Sequence, residues 1–551
     1  MASQMRLFVG CIIALVATSF GFVTRAMLIN EWGVKFSLSQ EQIGALQGAG
    51  LFPFALSIIF FSLILDRIGY GRAMVFAFLG HTISAIITIL AKNYTMLYLG
   101  TFLFALANGT VEAVINPVTA TIYSKNKTHY LNILHAGWPG GLVLGGLLAI
   151  LMGGARWEFK MALYLIPTAV YGIMLFGQKF PVQERVAAGV TYGDMLREFG
   201  WGSCLIVAFF TVKAFDTLFV ALGAYQNNAP DWVGLVIAVV AAVAFAVKYQ
   251  SFGRPLFVFL LLVMILLATT ELGTDSWVAS LMEPVLKSKV AGALVLVYTS
   301  FIMFVLRFFA GPIVHKISPL GLLCVCAALA SIGLLALANV GTAGILIFIA
   351  ATCYGIGKTF FWPTTLGVVC EQFPKGGAMT INAIAGVGMI SVGTIGGAFL
   401  GAIQDNELDS RLKKANEAVY QKVSKEERTS WFMTFRPLDK SKIAALPENE
   451  ATQGAMRELA RKVAELDGTL RSTRPLGPLD QDRVAVLLGD IDALAAELEQ
   501  LPPGAHPPLS NLARLRADVQ RARRAVTGEI PDYYFAGAVS GACVYCHSLP
   551  L

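Results

Sequence analysis

The chain has 551 residues, of which 56% are hydrophobic and only 14% are charged. Soluble domains carry about 25% charged residues, so this composition excludes an ordinary water-soluble protein. The net charge of +7 comes from Lys and Arg placed between apolar segments, a pattern that indicates membrane topology and argues against nucleic-acid binding.

Apolar segments long enough to cross a bilayer recur along the chain. A spanning helix needs about 20 apolar residues, and this criterion predicts fourteen spans. We interpret the first as a helix and not as a signal peptide, because its apolar run is long and others follow at once. The first six spans lie near 6–28, 42–65, 73–92, 96–122, 131–153 and 158–178. Seven more lie near 201–223, 232–248, 256–282, 291–313, 320–340, 344–369 and 379–403, and a last candidate lies at 533–551, where a truncated helix is the alternative.

The arrangement of these spans predicts an all-α integral membrane protein with two pseudo-symmetric six-helix bundles and two extra helices between them. We expect an N-terminal bundle at 1–180, a linker with the two additional helices at 181–254, and the first five helices of the C-terminal bundle at 255–403. A soluble helical insertion at 404–532 then precedes the final helix at 533–551.

The distribution of charge predicts the side of the membrane on which each loop lies. With the N-terminus in the cytoplasm, eleven Lys and Arg fall in inside loops and six in outside loops, as the positive-inside rule requires. This orientation favours a multi-pass protein of the cell membrane with 404–532 on the outer face. The insertion holds 20 of the 42 Lys and Arg and 21 of the 35 Asp and Glu, and its apolar residues recur with helical spacing from Val484 to Leu498. We interpret it as a spacer or cap over the outer vestibule, with a docking site for a protein partner as the alternative.

Two stretches of the first block recur in the second at nearly constant offsets. Residues 66–69, after the second span, correspond to 315–318, which lie 249 positions later. A charged residue precedes a proline by five positions in both blocks, Glu112 in the first and Lys358 in the second, at an offset of 246. Transporters are often built from such related halves, with the solute site at their interface.

Ionisable side chains inside the predicted spans are the candidates for that site. An ion at the bilayer centre costs about 2.5–3.5 kcal/mol, so such side chains normally face a cavity and find partners. The simplest pairing joins Arg25 to Glu112, and Lys358 to either Glu271 or Asp275. The candidate residues for binding substrate or ion are Arg25, Glu112, Asn116, His135, Trp138, Glu271, Asp275, Trp277 and Lys358. The candidate gating residues are Asp66, Arg67, Arg72 and Arg307.

Several of these residues lie in segments that resemble a known family. The loop Asp66-Arg67-Ile-Gly-Tyr-Gly-Arg72 resembles the signature loop between the second and third helices of the major facilitator superfamily. Three further segments are similar to the fucose/proton symporter branch of that superfamily: Glu112-Ala-Val-Ile-Asn116-Pro117, Leu131-Asn132 and Trp362-Pro363-Thr364. The resemblance covers 1–180 and 255–403. It implies alternating access, a sugar as substrate and a role in proton coupling for Glu112.

These patterns predict a secondary active transporter that moves a small polar solute, with a sugar as the implied class and a proton as the co-transported ion. The alternative is a non-transporting sensor or scaffold in the membrane that presents 404–532. Cys543-Val-Tyr-Cys546-His547 matches the pattern of c-type haem attachment, but an apolar span leaves no place for haem. We therefore expect no cofactor, no metal and no enzyme activity.

Overall fold

A computed structural model describes residues 2–36, 48–221, 231–276, 289–339 and 344–393 without a break, single positions between these ranges, and beyond 393 chiefly 409–414, 417–430, 433–436 and 484–491. The chain forms two compact units, Met1–Leu400 and Gly401–Leu551.

The first unit is almost entirely helical. Its first bundle consists of α1 (Ala2–Lys35), α2 (Phe52–Ile68), α3 (Tyr70–Ile89), α4 (Tyr94–Ile122), α5 (Lys127–His135), α6 (Gly137–Leu151), α7 (Trp157–Ala162) and α8 (Leu165–Leu175). The short α9 (Glu184–Ala187) leads to the extra pair, α10 (Tyr192–Ala221) and α11 (Asp231–Tyr249). The second bundle consists of α12 (Pro255–Ala268), a π-helical turn (Thr269–Gly273), α13 (Lys289–Arg307), α14 (Ala310–Ile317), α15 (Pro319–Asn339), α16 (Gly344–Lys358), α17 (Phe361–Gln372), a 3₁₀ turn (Pro374–Gly376) and α18 (Gly377–Ser391).

The helices have the length and composition that a membrane requires. Within the described residues, ten are long and apolar enough to cross a bilayer, and α13 with α14, bent by 68° at their junction, makes an eleventh if the pair counts as one span. In the part of the chain that the structure describes, each of the thirteen spans predicted up to residue 403 overlaps one helix or two consecutive helical segments. The predicted all-α membrane fold is therefore confirmed, whereas the span at 533–551 lies outside the described residues.

Several spans are interrupted part-way along their length. The helical hydrogen bonding of the span of α5 and α6 is interrupted at Ala136, and that of the span of α16 and α17 is interrupted between Lys358 and Phe361. The span that begins with α12 widens into the π-helical turn, a rare element that is often found at functional sites. Broken backbone within a membrane is tolerated where it is buried in protein or lines a cavity. These breaks therefore mark the level at which a site is expected.

The two bundles meet chiefly along three pairs of helices. In these pairs α2 packs against α18, α6 against α13, and α5 against α17. One continuous apolar cluster includes buried side chains from both bundles, among them Phe54, Val114, Met264 and Ile384. This shared core places α4 of the first bundle and α17 of the second on either side of the same interior space.

The extra helix pair is fastened to the second bundle. α10 kinks at Gly200, whose φ of 71° is accessible to glycine at little cost. At this kink the backbone N–H of Trp201 donates to Ser251 O over 2.9 Å, so the connection between α11 and α12 pairs with α10. A Cβ on Gly200 would lie 2.0 Å from the backbone nitrogen of Gly253. The close crossing therefore requires glycine.

The second unit contains helix and a small amount of strand. It includes α19 (Glu417–Val423) and an antiparallel hairpin of β1 (Arg428–Ser430) and β2 (Met433–Phe435). Residues 484–491 are helical, and Val484 and Leu488 are buried, as the spacing predicts. The predicted helical insertion at 404–532 did not include the hairpin, where short runs with threonine and phenylalanine suit a strand.

Candidate functional site

The two bundles enclose a small cavity between them. Its lining comes from both bundles and comprises Phe54, Glu112, His135, Trp138, Glu271, Leu272, Arg307, Trp362 and Met389. The space open to the centre of a water-sized molecule is about 20 Å³, enough for about one water. Pockets that bind small molecules measure about 300–1,000 Å³. A solute therefore fits only if the bundles move apart.

Glu112, on α4, is the acidic residue that the first bundle contributes to this cavity. Its Oε1 accepts the indole N–H of Trp362 over 3.1 Å and the amide N–H of Asn116 over 3.4 Å. His135 Nε2 lies 3.7 Å from the same oxygen and 2.9 Å from Asn116 Oδ1, so this ring nitrogen carries the hydrogen. The bond from Trp362 joins the two bundles, because α17 belongs to the second.

The predicted pairing of Arg25 with Glu112 is wrong. Arg25 donates to Ser84 Oγ over 2.8 Å, and its guanidinium lies 3.8 Å from the centre of the Phe104 ring. Phe104 precedes Glu112 by eight residues on α4, which separates the two levels by about 12 Å along the helix. The side chain is buried and does not line the cavity. Its level relative to Glu112 depends on where α1 and α4 cross, which the spacing of residues along the chain does not specify.

In the second bundle Lys358 pairs with Asp275, one of the two predicted partners. Lys358 also lies 3.3 Å from Thr299 Oγ1 and is fully buried. Neither member of the ion pair lines the cavity. Trp277, a further candidate, lies outside the described residues.

Arg307, predicted to belong to the gate, lies in the wall of the cavity. Its Nη2 donates to Glu271 Oε1 over 2.8 Å, and Glu271 Oε2 accepts the backbone N–H of Trp362 over 3.2 Å. The bend after Arg307 explains the difference, because it directs the following helix, which leads to the connection at 315–318, away from the axis on which Arg307 lies.

Two of the bonds of Arg307 depend on prolines. A proline has no N–H to donate to the carbonyl four residues earlier in a helix, so Pro139 frees His135 O and Pro363 frees Thr359 O. Arg307 Nη1 donates to His135 O over 2.6 Å, and its Nε donates to Thr359 O over 2.8 Å. One guanidinium thus occupies two carbonyls that the helices cannot satisfy, and the bond to His135 crosses between the bundles.

A third proline provides another acceptor at the bundle interface. Pro117 lies inside α4 and leaves Ala113 O without its helical donor. Asn382, on α18 of the opposite bundle, donates to Ala113 O over 3.0 Å and is fully buried. This bond lies between the cavity and the end of the bundle that carries Asp66, which we call the Asp66 end.

The bundles are also joined at the Asp66 end itself. Lys127, the first residue of α5, donates to Cys370 O over 3.3 Å, and Pro374 cannot donate to that carbonyl. The next residue, Thr128, donates through its hydroxyl to Glu371 Oε1 over 2.6 Å. Both bonds connect α5 with α17. This end is therefore closed.

The predicted gating residues of the first bundle lie beside these bonds. Asp66 pairs with Arg185 of α9, and the neighbouring Glu184 lies 2.6 Å from Lys127. Arg67 lies with its guanidinium 5.8 Å from the centre of the Tyr192 ring, and Arg72 is exposed. The role of these residues in gating stays a prediction.

Sequence reasoning identified four residues of the cavity wall as binding candidates, namely Glu112, His135, Trp138 and Glu271. It missed Phe54, Leu272 and Met389, which are apolar residues in apolar helices and carry no signal of their own. Trp362 had a signal, because it stands directly before Pro363 in the segment that resembles the symporter branch.

Comparisons with known proteins agree with this architecture. Residues 7–398 match the Major Facilitator Superfamily, whereas no curated protein matches the chain. The human organic anion transporter MFSD10 (TETRAN) has 13% identity and a TM-score of 0.51, with 72% of this chain and 93% of that one covered. The proton:xylose symporter XylE of E. coli has 13% identity and a TM-score of 0.52, with 75% and 90% covered. Such identities show the fold alone, but the match over most of the sequence establishes that this chain belongs to the Major Facilitator Superfamily, a family of membrane transporters.

Proposed function

We propose that the protein is a proton-coupled secondary active transporter that moves a small polar solute by alternating access, with Glu112 as the proton site. The observation that carries the proposal is the bond from Trp362 to Glu112, which joins the two bundles at the cavity. A hydrogen bond to an ionised carboxylate is roughly twice as strong as one to a neutral group. Protonation of Glu112 therefore weakens a contact between the bundles and favours their separation.

This scheme differs from the simplest one that the sequence suggests. That scheme has protonation of Glu112 release Arg25, which is not its partner. Trp362 takes the place of Arg25, and the released contact lies between bundles and not within one. The released group therefore belongs to the part of the protein that moves in alternating access.

The names of similar structures refer to organic anions in one case and to xylose with protons in another. The resemblance in sequence makes a sugar the first substrate class to test. We place the protein in the cell membrane with its N-terminus in the cytoplasm, as the distribution of Lys and Arg predicts.

Proton flux into proteoliposomes tests the proposal across several classes of solute at once. A pH-sensitive dye is enclosed, and monosaccharides, organic cations and organic anions are added outside with and without an imposed pH gradient. We expect one class to evoke proton movement in the wild type and in Glu31→Gln, a control at the exposed rim. Glu112→Gln should abolish the proton movement, because an amide cannot exchange a proton at neutral pH. Solute uptake that ignores the gradient and is unchanged in Glu112→Gln contradicts the proposal.

A further inference from the structure

The charges that line the cavity do not balance. Among the described residues of the lining, the ions are the carboxylates of Glu112 and Glu271 and the guanidinium of Arg307. Glu271 is bonded directly to Arg307, whereas the hydrogen bonds to Glu112 come from neutral groups. With a neutral imidazole at His135, the cavity carries one excess negative charge whenever Glu112 is ionised.

Charges outside the lining leave that excess in place. The nearby Lys358 is already neutralised by Asp275. Arg25 lies about 12 Å away along α4, against the ring of Phe104. An ionised carboxylate in apolar surroundings requires a partner. Either a proton or a cationic ligand satisfies Glu112, and the two exclude one another.

The remaining lining is more suitable for an organic cation than for a sugar. Phe54, Trp138 and Trp362 bring three aromatic rings to the wall, and the faces of such rings attract ammonium and heteroaromatic cations. Leu272 and Met389 are apolar. A sugar needs several polar groups that are free to bond its hydroxyls, because unpaired buried polar groups oppose binding.

The polar groups of the wall are largely occupied. Both oxygens of Glu271 hold hydrogen bonds, one from Arg307 and one from the backbone of Trp362. Arg307 uses Nε, Nη1 and Nη2 in three separate bonds. Both hydrogen bonds that Glu112 receives from described residues end at Oε1, so Oε2 is the oxygen left to receive a ligand.

We propose that the transported solute is a small organic monocation, an ammonium or heteroaromatic cation that binds Glu112 in exchange for its proton, with its apolar part against Trp138 and Trp362. The inference rests on the proposed proton-coupled transport and names the class of solute. One cation replaces one proton, so the charge of the cavity is the same in both loaded states.

Calorimetric titration of the purified protein tests the exchange directly. Choline is the cationic probe, and 3,3-dimethylbutanol is its neutral counterpart of the same shape. Fucose, benzoate and sodium chloride represent a sugar, an organic anion and an inorganic cation. Titration in two buffers of different ionisation enthalpy gives the number of protons released. We expect choline to bind and to release about one proton at a pH where Glu112 is protonated, and the neutral counterpart to release none.

Variants of Glu112 and Trp138 test whether these residues account for choline binding and proton release. Glu112→Gln should weaken choline binding about tenfold or more, because the quaternary ammonium loses its counter-ion, and should abolish proton release, while Glu31→Gln behaves as wild type. Trp138→Leu should weaken binding about threefold, in the range of one cation–π contact, and Trp138→Phe should weaken it less. The tryptophan variants test the site even where Glu112→Gln fails to fold.

The outcomes separate the two proposals. Proton release evoked by fucose or benzoate, without binding of choline, overturns the cationic substrate and leaves proton-coupled transport intact. Release evoked equally by sodium also overturns it, because the aromatic wall then has no part. Absence of any proton movement across the whole panel overturns the proposed function itself.

Discussion

The bond between Asn382 and the carbonyl of Ala113 provides a sharp prediction, because Pro117 makes that carbonyl available. In Asn382→Leu the carbonyl loses its donor, and a buried acceptor left unpaired costs about 1–3 kcal/mol. In Pro117→Ala the new N–H restores the helical bond to Ala113 O and competes with Asn382 for that oxygen, which weakens the bond between the bundles. Each single variant should destabilise the closed state and raise the ratio of open to closed protein by about five- to 150-fold.

The double variant should behave differently from the sum of the two changes. With both substitutions the carbonyl is satisfied inside α4 and no buried amide remains unpaired, so the closed state should recover. The expected coupling between the two sites is about 1–3 kcal/mol, well above the error of a double-mutant cycle. Pro167→Ala, in α8 and away from the bundle interface, is the matched control and should leave the ratio unchanged.

Spin labels placed at Lys125 and Lys375, on opposite bundles at the Asp66 end, measure the ratio as short and long distances. Both positions lie beside the α5–α17 contact, so opening of this end separates them. Additive effects of Pro117→Ala and Asn382→Leu would refute the reasoning, as would an unchanged distribution in Asn382→Leu.

Two further predictions concern stability. Asp66→Asn and Arg185→Gln each leave one charge of a buried pair without its partner. For a fully buried pair this loss costs about 3–5 kcal/mol, so both variants should melt at lower temperature in detergent. Exchange of the two charges should recover part of the lost melting temperature, and no recovery would contradict a stabilising ion pair. Gly200→Ala places a Cβ 2.0 Å from the backbone of Gly253 at a φ of 71°, and we expect it to cost several kcal/mol. Gly154→Ala, where a Cβ meets nothing within 4 Å, should melt like the wild type; equal melting of both glycine variants would contradict the close crossing.

The spans were predictable because their signal is local. A run of about 20 apolar residues identifies a membrane helix whatever its neighbours are, and this holds even where α5 and α6 or α16 and α17 divide one span. The offset between Glu112 and Lys358 likewise predicts two related bundles with charged interiors. Both inferences use only distances along the chain.

Which charged residues pair with one another depends on where the helices cross and bend, and the spacing of residues along the chain does not specify either. Arg25 and Glu112 lie in neighbouring helices, but their separation along the membrane normal depends on where α1 and α4 cross. Arg307 approaches Glu271 because the helix bends immediately after it. Neither relation follows from residue spacing.

Some of the missed contacts did leave a trace in the sequence. Each proline in a span frees the carbonyl four residues before it, so Pro117, Pro139 and Pro363 predict free acceptors at Ala113, His135 and Thr359. All three carbonyls are occupied by side chains. The positions of the acceptors were therefore predictable, whereas the identity of their donors was not.

The division of these bonds between the bundles bears on how the cavity opens. Arg307 makes two of its bonds within its own bundle, to Glu271 and Thr359 O, and one across, to His135 O. Glu112 keeps Asn116 on its own helix and has one bond across, from Trp362. When the bundles separate, each central ion loses one hydrogen bond and keeps its other hydrogen bonds, so the separation breaks no ion pair. The free energy required to open the protein at the cavity is then that of a few hydrogen bonds, about 1–3 kcal/mol each. The binding of one proton or one solute is sufficient to offset it. An arrangement in which an ion pair formed the contact between bundles would instead separate two charges in a medium of low dielectric, at a much higher free energy.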